Sequence, residues 1–89
     1  MSRASIKSKV INMIASAAEL EKDSITEKSQ FNSDIILESL TFAELLMECE
    51  EEFDLDIPME DALDFKTVKD LVDYLYMKKS GTKVAKESL

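Results

Sequence analysis

The sequence predicts an all-α fold: a small four-helix bundle with three main helices, one short helix and a long loop between helices one and two. Apolar residues recur at three- and four-residue spacing over several segments, which is the period of an amphipathic helix. The 89 residues include one glycine and one proline, too few for a turn-rich β fold. A chain of this length forms one small domain.

The first helix is expected over residues 3–20, and a long loop follows over residues 21–38. The apolar stripe of this helix is Ile6, Val10, Met13, Ile14, Ala17 and Ala18. The loop is rich in Asp, Ser, Thr and Asn, which favour turns and caps. A loop this long inside a compact domain is uncommon and tends to be functional. Its isolated apolar residues are expected to hold it against the helices: Ile25, Phe31, Ile35, Ile36 and Leu37.

The second main helix is expected from Ser39 to Phe53. Its predicted apolar face comprises Leu40, Ala43, Leu46, Met47, Cys49 and Phe53, with Phe42 and Leu45 beside it. Thr41 and Glu44 have the spacing of a capping box, which places the helix start between residues 39 and 41. The face opposite the apolar one is occupied mainly by glutamate.

The remaining elements are a short helix and a last main helix. Pro58 suits the first position of a helix, so one turn is expected over residues 59–63. Thr67, with Asp70 three residues later, is expected to cap the last helix. Gly81 is a natural helix stop. Residues 1–80 are therefore predicted to form the domain, and residues 81–89 a flexible C-terminal tail.

The charge of the chain is strongly one-sided. The formal net charge is −8, and no Lys or Arg lies between Lys28 and Lys66, whereas twelve Asp and Glu do. This acidic centre would repel the phosphates of a nucleic acid. It would instead steer a basic protein toward the chain. We therefore expect protein partners with basic patches and no nucleic acid.

Several function classes are disfavoured by what the sequence lacks. Histidine is absent, which removes the usual general base and the commonest metal ligand. The acidic residues lack the spacing and glycine of a calcium-binding loop, so no metal site is predicted. Cys49, the single cysteine, cannot form an internal disulfide. With neither a membrane-length apolar run nor a signal peptide, we expect a cytoplasmic protein without a membrane span. We also expect a monomer, and a chain without histidine is not expected to be an enzyme.

Ser39 is the residue on which the functional interpretation depends. It lies where the loop meets the second helix, and the first turn of a helix has free N–H groups and the positive end of a dipole. A phosphate ester is favoured at such a position. From position alone two roles stay open, a phosphate attachment point or a plain helix cap. A catalytic nucleophile is not expected, because no histidine is present to activate the hydroxyl.

The segment around Ser39 resembles the signature of acyl carrier proteins, in which an Asp-Ser-Leu triplet opens the second helix. Residues 34–40 read DIILESL, and the likeness continues without gaps through residues 44–47, 50–54, 57–58 and 67–75. It covers about residues 5–78. Glu38 stands where the family usually has aspartate, Thr41 at a frequently acidic position, and Ile36 where glycine is common. Ile36 is expected to pack inward or to make an unusual partner contact.

The resemblance implies a specific chemistry. Ser39 would carry 4′-phosphopantetheine, attached as a phosphodiester by a phosphopantetheinyl transferase, and the terminal thiol would hold an acyl group as a thioester. The protein would present such intermediates to acyl-transferring and acyl-modifying synthase enzymes of fatty-acid or polyketide-type biosynthesis. The residues expected to meet the basic patches of these partners are Glu38, Leu40, Glu44, Glu48, Glu50, Glu51 and Glu52.

Two alternatives stay open, a carrier domain of a peptide synthetase and an acidic helical interaction domain with an unmodified Ser39. The core between the helices is predicted to contain Leu46, Met47, Phe53, Ile57, Val68, Leu71 and Leu75. In the family such a core can open to shelter an acyl chain. Here the soft side chains of Met47 and Met59 suggest that such a space lies near them.

Overall fold

The computed structural model describes residues 1–80, which form four α-helices around one apolar core. The helices are α1 (Arg3–Ala18), α2 (Ser39–Phe53), α3 (Met59–Ala62) and α4 (Val68–Ser80). Within this part of the chain there is no strand, only two isolated β-bridges. The predicted all-α bundle, with three main helices, one short helix and a long first loop, is confirmed. The tail predicted for residues 81–89 lies outside the described residues.

α1 ends two residues earlier than predicted. Glu19 adopts a left-handed conformation with φ 58°, and its backbone N–H donates to the Ala15 carbonyl. The N–H of Leu20 donates to the same carbonyl at 3.0 Å. These bonds close the helix without a glycine. The chain then enters a one-turn 3₁₀ helix at Lys22–Ser24, which the sequence pattern did not predict.

One core is shared by α1, α2, α4 and the loop. Its most deeply buried side chains are Ile6, Val10, Ile14, Ile35, Leu45, Cys49, Phe53, Val68, Leu71, Val72 and Leu75. Fully burying one large aliphatic side chain contributes roughly 1.5–3 kcal/mol, so these contacts dominate the stability. The predicted burial of Leu40 and Met47 was wrong. α2 is rotated so that Leu45 and Leu46 face inward, which leaves Leu40 and Met47 exposed.

The loop between α1 and α2 is fixed to the core by its apolar side chains. Ile25, Phe31 and Ile35 are buried, as predicted. Leu37 is partly buried and packs against the same cluster. Ile36 is 78 % exposed, so of the two roles expected for it inward packing is excluded, and a partner contact stays a prediction. Its backbone does not adopt a positive φ, so a non-glycine residue is accommodated there without strain.

The same loop is also bonded to the start of α4. The Phe31 N–H donates to the Lys66 carbonyl at 2.9 Å, and the Val68 N–H donates to the Ser29 carbonyl at 3.0 Å. On its other side, the Phe31 ring packs edge-on against Phe42 of α2, with ring centroids 5.3 Å apart. The loop therefore connects the first turns of α2 and α4.

α3 is a single turn held by α4. Pro58 is its N-cap residue rather than its first helical residue, one position from the prediction, and the helix ends at Ala62. The Tyr74 hydroxyl of α4 donates to the Asp61 carboxylate at 2.6 Å. The Tyr74 ring packs edge-on against Phe65, with centroids 5.0 Å apart. Burial and the bond to Asp61 both raise the pKa of Tyr74, so its hydroxyl stays protonated and keeps donating.

None of the helices in residues 1–80 is long and apolar enough to cross a bilayer.

Candidate functional site

Ser39 is the first residue of α2, and its side chain is exposed. The N-cap residue is Glu38, whose backbone is extended and whose side chain makes no capping hydrogen bond. The predicted capping box of Thr41 and Glu44 is therefore wrong, because both residues lie inside the helix. The Ser39 hydroxyl makes no hydrogen bond to any described residue, so it does not act as a cap either.

The backbone around Ser39 offers hydrogen-bond donors. The first intrahelical bond runs from the Phe42 N–H to the Glu38 carbonyl at 2.8 Å. The N–H groups of Ser39, Leu40 and Thr41 precede that bond and have no acceptor among residues 1–80. Together with the helix dipole, these groups favour an anion at the Ser39 side chain. A phosphate there would accept hydrogen bonds from these backbone donors.

A tight turn in the loop fixes the conformation of the chain shortly before Ser39. The Gln30 carbonyl accepts from the N–H groups of Asp34 and Ile35, both at 3.0 Å, and the Asn32 N–H donates to the Ile35 carbonyl at 2.8 Å. Asn32 has φ 78°, a conformation that asparagine tolerates better than most residues. The Asp34 carboxylate accepts from the Gln30 N–H at 2.9 Å. Because Ile35 is buried, the chain is anchored only four residues before Ser39.

A small cavity of about 240 Å³ lies beside Ser39, between the loop, α2 and α3. Seven of its nine lining residues are apolar, and the full set is Phe31, Asn32, Ile35, Leu37, Ser39, Phe42, Ala62, Leu63 and Phe65. An apolar space of this kind can shelter an aliphatic chain. Neither Met47 nor Met59, whose soft side chains suggested such a space, lines this cavity. Met47 instead lines a separate groove between α1 and α2, so the space predicted near these two residues stays a prediction.

Two residues of this cavity, Leu63 and Phe65, were missed from the sequence. They lie at and after the end of α3, a helix of four residues. A single turn has too few positions to show an apolar period. The sequence therefore could not indicate which residues at the end of α3 would lie toward Ser39.

The predicted docking carboxylates of α2 fall into two groups. Glu44, Glu48 and Glu51 are exposed, make no ion pair within the described residues, and line a groove of about 470 Å³ between α1 and α2. Glu50 and Glu52 have partners in the fold. The Glu50 carboxylate accepts from the Ile57 N–H at 2.8 Å, and the Glu52 carboxylate pairs with Lys9 of α1 at 2.9 Å. The remaining two predicted docking residues, Glu38 and Leu40, are exposed beside Ser39.

Cys49 lies on the opposite, inward side of α2. Its side chain is buried, and its thiol contacts the Met13 sulfur at 3.8 Å. Burial, with a smaller contribution from the negative charges of Glu48, Glu50 and Glu52, raises the pKa of Cys49 to about 12. The thiol is therefore protonated and unreactive near neutral pH. Across residues 1–80, no group of three or more potential ligands could hold a metal ion.

Comparison with known proteins of similar sequence and structure identifies the family of the chain. The family described as "Phosphopantetheine attachment site" matches residues 8–75. An acyl carrier protein of Chlorobium phaeobacteroides is 44% identical over 78 residues, which cover 88% of this chain and all of that protein. One from Syntrophobacter fumaroxidans is 39% identical over 81 residues, covering 91% of this chain and all of that protein.

The fold comparison points the same way. A solved structure of the acyl carrier protein from Enterococcus faecalis superposes with a TM-score of 0.73 at 32% sequence identity, covering 84% of this chain and 95% of that one. The chain therefore belongs to the acyl carrier protein family, whose members bear a 4′-phosphopantetheine prosthetic group and act as carriers rather than catalysts.

Proposed function

We propose that Ser39 is the attachment point of 4′-phosphopantetheine, and that the protein carries acyl groups between enzymes of fatty-acid or polyketide-type biosynthesis in the cytoplasm. The observation that carries this proposal is the Ser39 hydroxyl. It is exposed, it has no hydrogen bond within the described chain, and it stands at a helix start whose first N–H groups have no acceptor.

Each feature of the site has a role in this function. The N–H groups of Ser39, Leu40 and Thr41 are placed to stabilise the phosphodiester, with the α2 dipole adding to the attraction. When bound, the group supplies a terminal thiol that holds an acyl chain as a thioester. The buried Ile35 and the turn before it keep Ser39 at a fixed place on the surface. The apolar cavity beside Ser39 offers shelter to a short stretch of acyl chain.

The partners are a phosphopantetheinyl transferase, which loads Ser39, and synthase enzymes with basic docking patches. We assign the main electrostatic contacts to Glu44, Glu48 and Glu51, because their carboxylates are exposed and make no ion pair with any residue of 1–80. Glu50 and Glu52 contribute less, since each is already engaged within the fold. Surface ion pairs contribute roughly 0–1 kcal/mol each and mainly raise the association rate. Such contacts suit a carrier that must dock quickly and leave again.

The alternatives fit less well. The relatives that this chain matches over their whole length are named acyl carrier proteins, which favours acyl cargo over a peptide-synthetase role. An interaction domain with an unmodified Ser39 gives no reason for a helix start that lacks a side-chain cap.

The test is to incubate the protein with coenzyme A and a broad-specificity phosphopantetheinyl transferase and to measure its mass. We expect the addition of one phosphopantetheinyl group to the wild type and none to Ser39→Ala. Ser33→Ala is the matched control, because Ser33 is an exposed serine of the same loop, and it should be loaded like the wild type. If the folded wild type gains no mass, or if Ser39→Ala still does, the proposal is wrong.

A further inference from the structure

We propose that Ile36 and Leu63 are docking residues for the enzyme that loads Ser39, and that this enzyme holds the chain through apolar as well as ionic contacts. The inference rests on the proposed function, because it takes Ser39 as the loaded residue. Together with Leu40, these two side chains form what we call the apolar collar.

The collar is defined by exposure and by position. Ile36, Leu40 and Leu63 are 78%, 69% and 71% exposed. Leu40 directly follows Ser39 in α2. Leu63 follows α3 and lines the same cavity as Ser39. Ile36 comes from the loop, adjoining Leu37, which lines that cavity too. A single exposed apolar side chain needs no explanation, but three from separate elements around one hydroxyl indicate an interaction surface.

Chemistry requires that this surface be covered during loading. The loading step forms a bond from the Ser39 oxygen to the phosphorus of the pantetheine phosphate in coenzyme A. It breaks the bond from that phosphorus to 3′,5′-ADP, which leaves, and the hydroxyl proton passes to a base of the enzyme. The Ser39 oxygen must therefore enter the active site of the enzyme, and the side chains that flank it must lose contact with water. Burial of exposed apolar side chains favours binding.

The charges next to the collar identify the occupant as a basic protein surface. Glu44, Glu48 and Glu51 extend along α2 from the collar, and none of them pairs with a Lys or Arg in the part of the chain that the structure describes. A second copy of this chain, with its net charge of −8, would be repelled, and so would an anionic bilayer. An enzyme face with an apolar centre and a basic rim complements both features.

The experiment measures the kinetics of loading by a broad-specificity phosphopantetheinyl transferase with coenzyme A. For the double variant Ile36→Ser/Leu63→Gln we expect KM for the carrier to rise roughly tenfold, because apolar burial on docking is lost, with kcat unchanged. The ratio of the variant and wild-type KM values should persist at high salt, which weakens only the ionic contacts. Met77→Gln is the matched control, since Met77 is an exposed apolar residue of α4, and its KM should equal that of the wild type.

The outcomes separate this inference from the proposed function. If the wild type is loaded and the double variant keeps the same KM, the collar does not dock the enzyme, while the role of Ser39 stands. If the wild type is never loaded, both fail. If the wild type sediments as a dimer and the double variant as a monomer, the collar joins two copies, and the inference is overturned. Circular dichroism should show unchanged helicity in the variants, because all three substituted side chains are exposed.

Discussion

The starts of α2 and α4 are built in opposite ways. At α4, the Thr67 hydroxyl accepts from the Asp70 N–H at 3.3 Å, and the Asp70 carboxylate accepts from the N–H groups of Lys66 and Thr67 at 2.9 and 3.0 Å. This is the cap predicted from the sequence. At α2, Glu38 provides no side-chain cap, and the Ser39 hydroxyl makes no bond within the described chain.

The start of α4 contributes to the stability of the fold, whereas the start of α2 leaves its polar groups available to a partner. At the start of α4 the donors are used internally, and the Val68 and Lys69 N–H groups bond to the loop carbonyls of Ser29 and Glu27 at 3.0 and 2.9 Å. The start of α4 therefore holds the loop in place. At α2 the same kinds of groups are left open, and the fold gains nothing from the Ser39 hydroxyl. A hydroxyl that the fold does not use stays available to a partner, which is what the proposed role of Ser39 requires.

The largest expected effect comes from removing the Phe31 ring, which packs the loop against the start of α2. Phe31 is almost fully buried, contacts Phe42 of α2 and bonds to the Lys66 carbonyl before α4. Phe31→Ala should lower the free energy of unfolding by about 3 kcal/mol, measured by urea denaturation. Phe31→Leu should lose markedly less, because it keeps most of the apolar volume. Equal losses for the two variants would show that packing is not the cause.

Removing the α4 cap should cost less. Asp70→Ala leaves the N–H groups of Lys66 and Thr67 without their acceptor, so we expect a loss of about 1–2 kcal/mol in unfolding free energy. Asp64→Ala is the control, since the exposed Asp64 side chain makes no bond within the described residues, and its stability should match the wild type. A loss of the same size in the control would point to net charge rather than to capping.

The ion-pair network behind α4 should have a smaller, pH-dependent effect. Arg3 pairs with Glu27 of the loop and Asp73 of α4. The hydrogen bond from Arg3 lowers the pKa of Glu27. Burial alone would raise the pKa of Asp73, but hydrogen bonds from Lys69 and Arg3 outweigh it and lower that pKa. Both pKa values are lower in the folded state than the ordinary values of Glu and Asp. The stabilisation is therefore complete above the ordinary pKa values and is lost as the pH falls through the lower, folded-state values.

Arg3→Gln should therefore lower the free energy of unfolding by up to about 1 kcal/mol near neutral pH. The gap between variant and wild type should shrink as the pH falls below 4.5, the ordinary pKa of glutamate. Comparing the two proteins at each pH cancels the general repulsion among the acidic residues. Lys22→Gln controls for the lost charge, since Lys22 makes no ion pair within residues 1–80. A gap that is constant with pH would contradict the network's role.

The smallest expected effect is a gain at α2. Glu38→Ser supplies a hydroxyl that can accept from the Thr41 N–H, which should raise the free energy of unfolding by about 0.5 kcal/mol. In contrast, Ser39→Ala should change it by less than about 0.5 kcal/mol, because the hydroxyl has no partner to lose. Both values come from urea unfolding. A large loss in Ser39→Ala would mean that the serine supports the helix after all.

Sequence alone predicted the elements whose residues follow a local rule. The stripe of α1 and the Thr67–Asp70 cap are both set by spacing within one turn or two. The start of α2 at Ser39 agrees with the predicted bounds, although the Thr41–Glu44 capping box used to place it does not form. The early end of α1 was not predictable, because glutamate rarely adopts the left-handed conformation that Glu19 has. The exposure of Met47 also depends on how α2 is rotated against α1 and α4, which its own spacing leaves ambiguous.

For the candidate site, position and resemblance identified Ser39, whereas its surroundings needed the fold. The Phe65 and Leu63 side chains reach the cavity only because Tyr74 holds α3 against α4. Similarly, Glu50 and Glu51 are adjacent in the sequence and equal in chemistry. Only the bond from the Ile57 N–H distinguishes the engaged carboxylate from the exposed one.

The burial of Cys49 has a practical consequence. It is the only cysteine in the chain, and its thiol is shielded and protonated in the native state. The bare protein should therefore be silent toward a maleimide dye, and a fluorescent signal would report the prosthetic sulfur alone. The same seclusion keeps the Cys49 thiol from competing with the prosthetic sulfur for the activated acyl carbon.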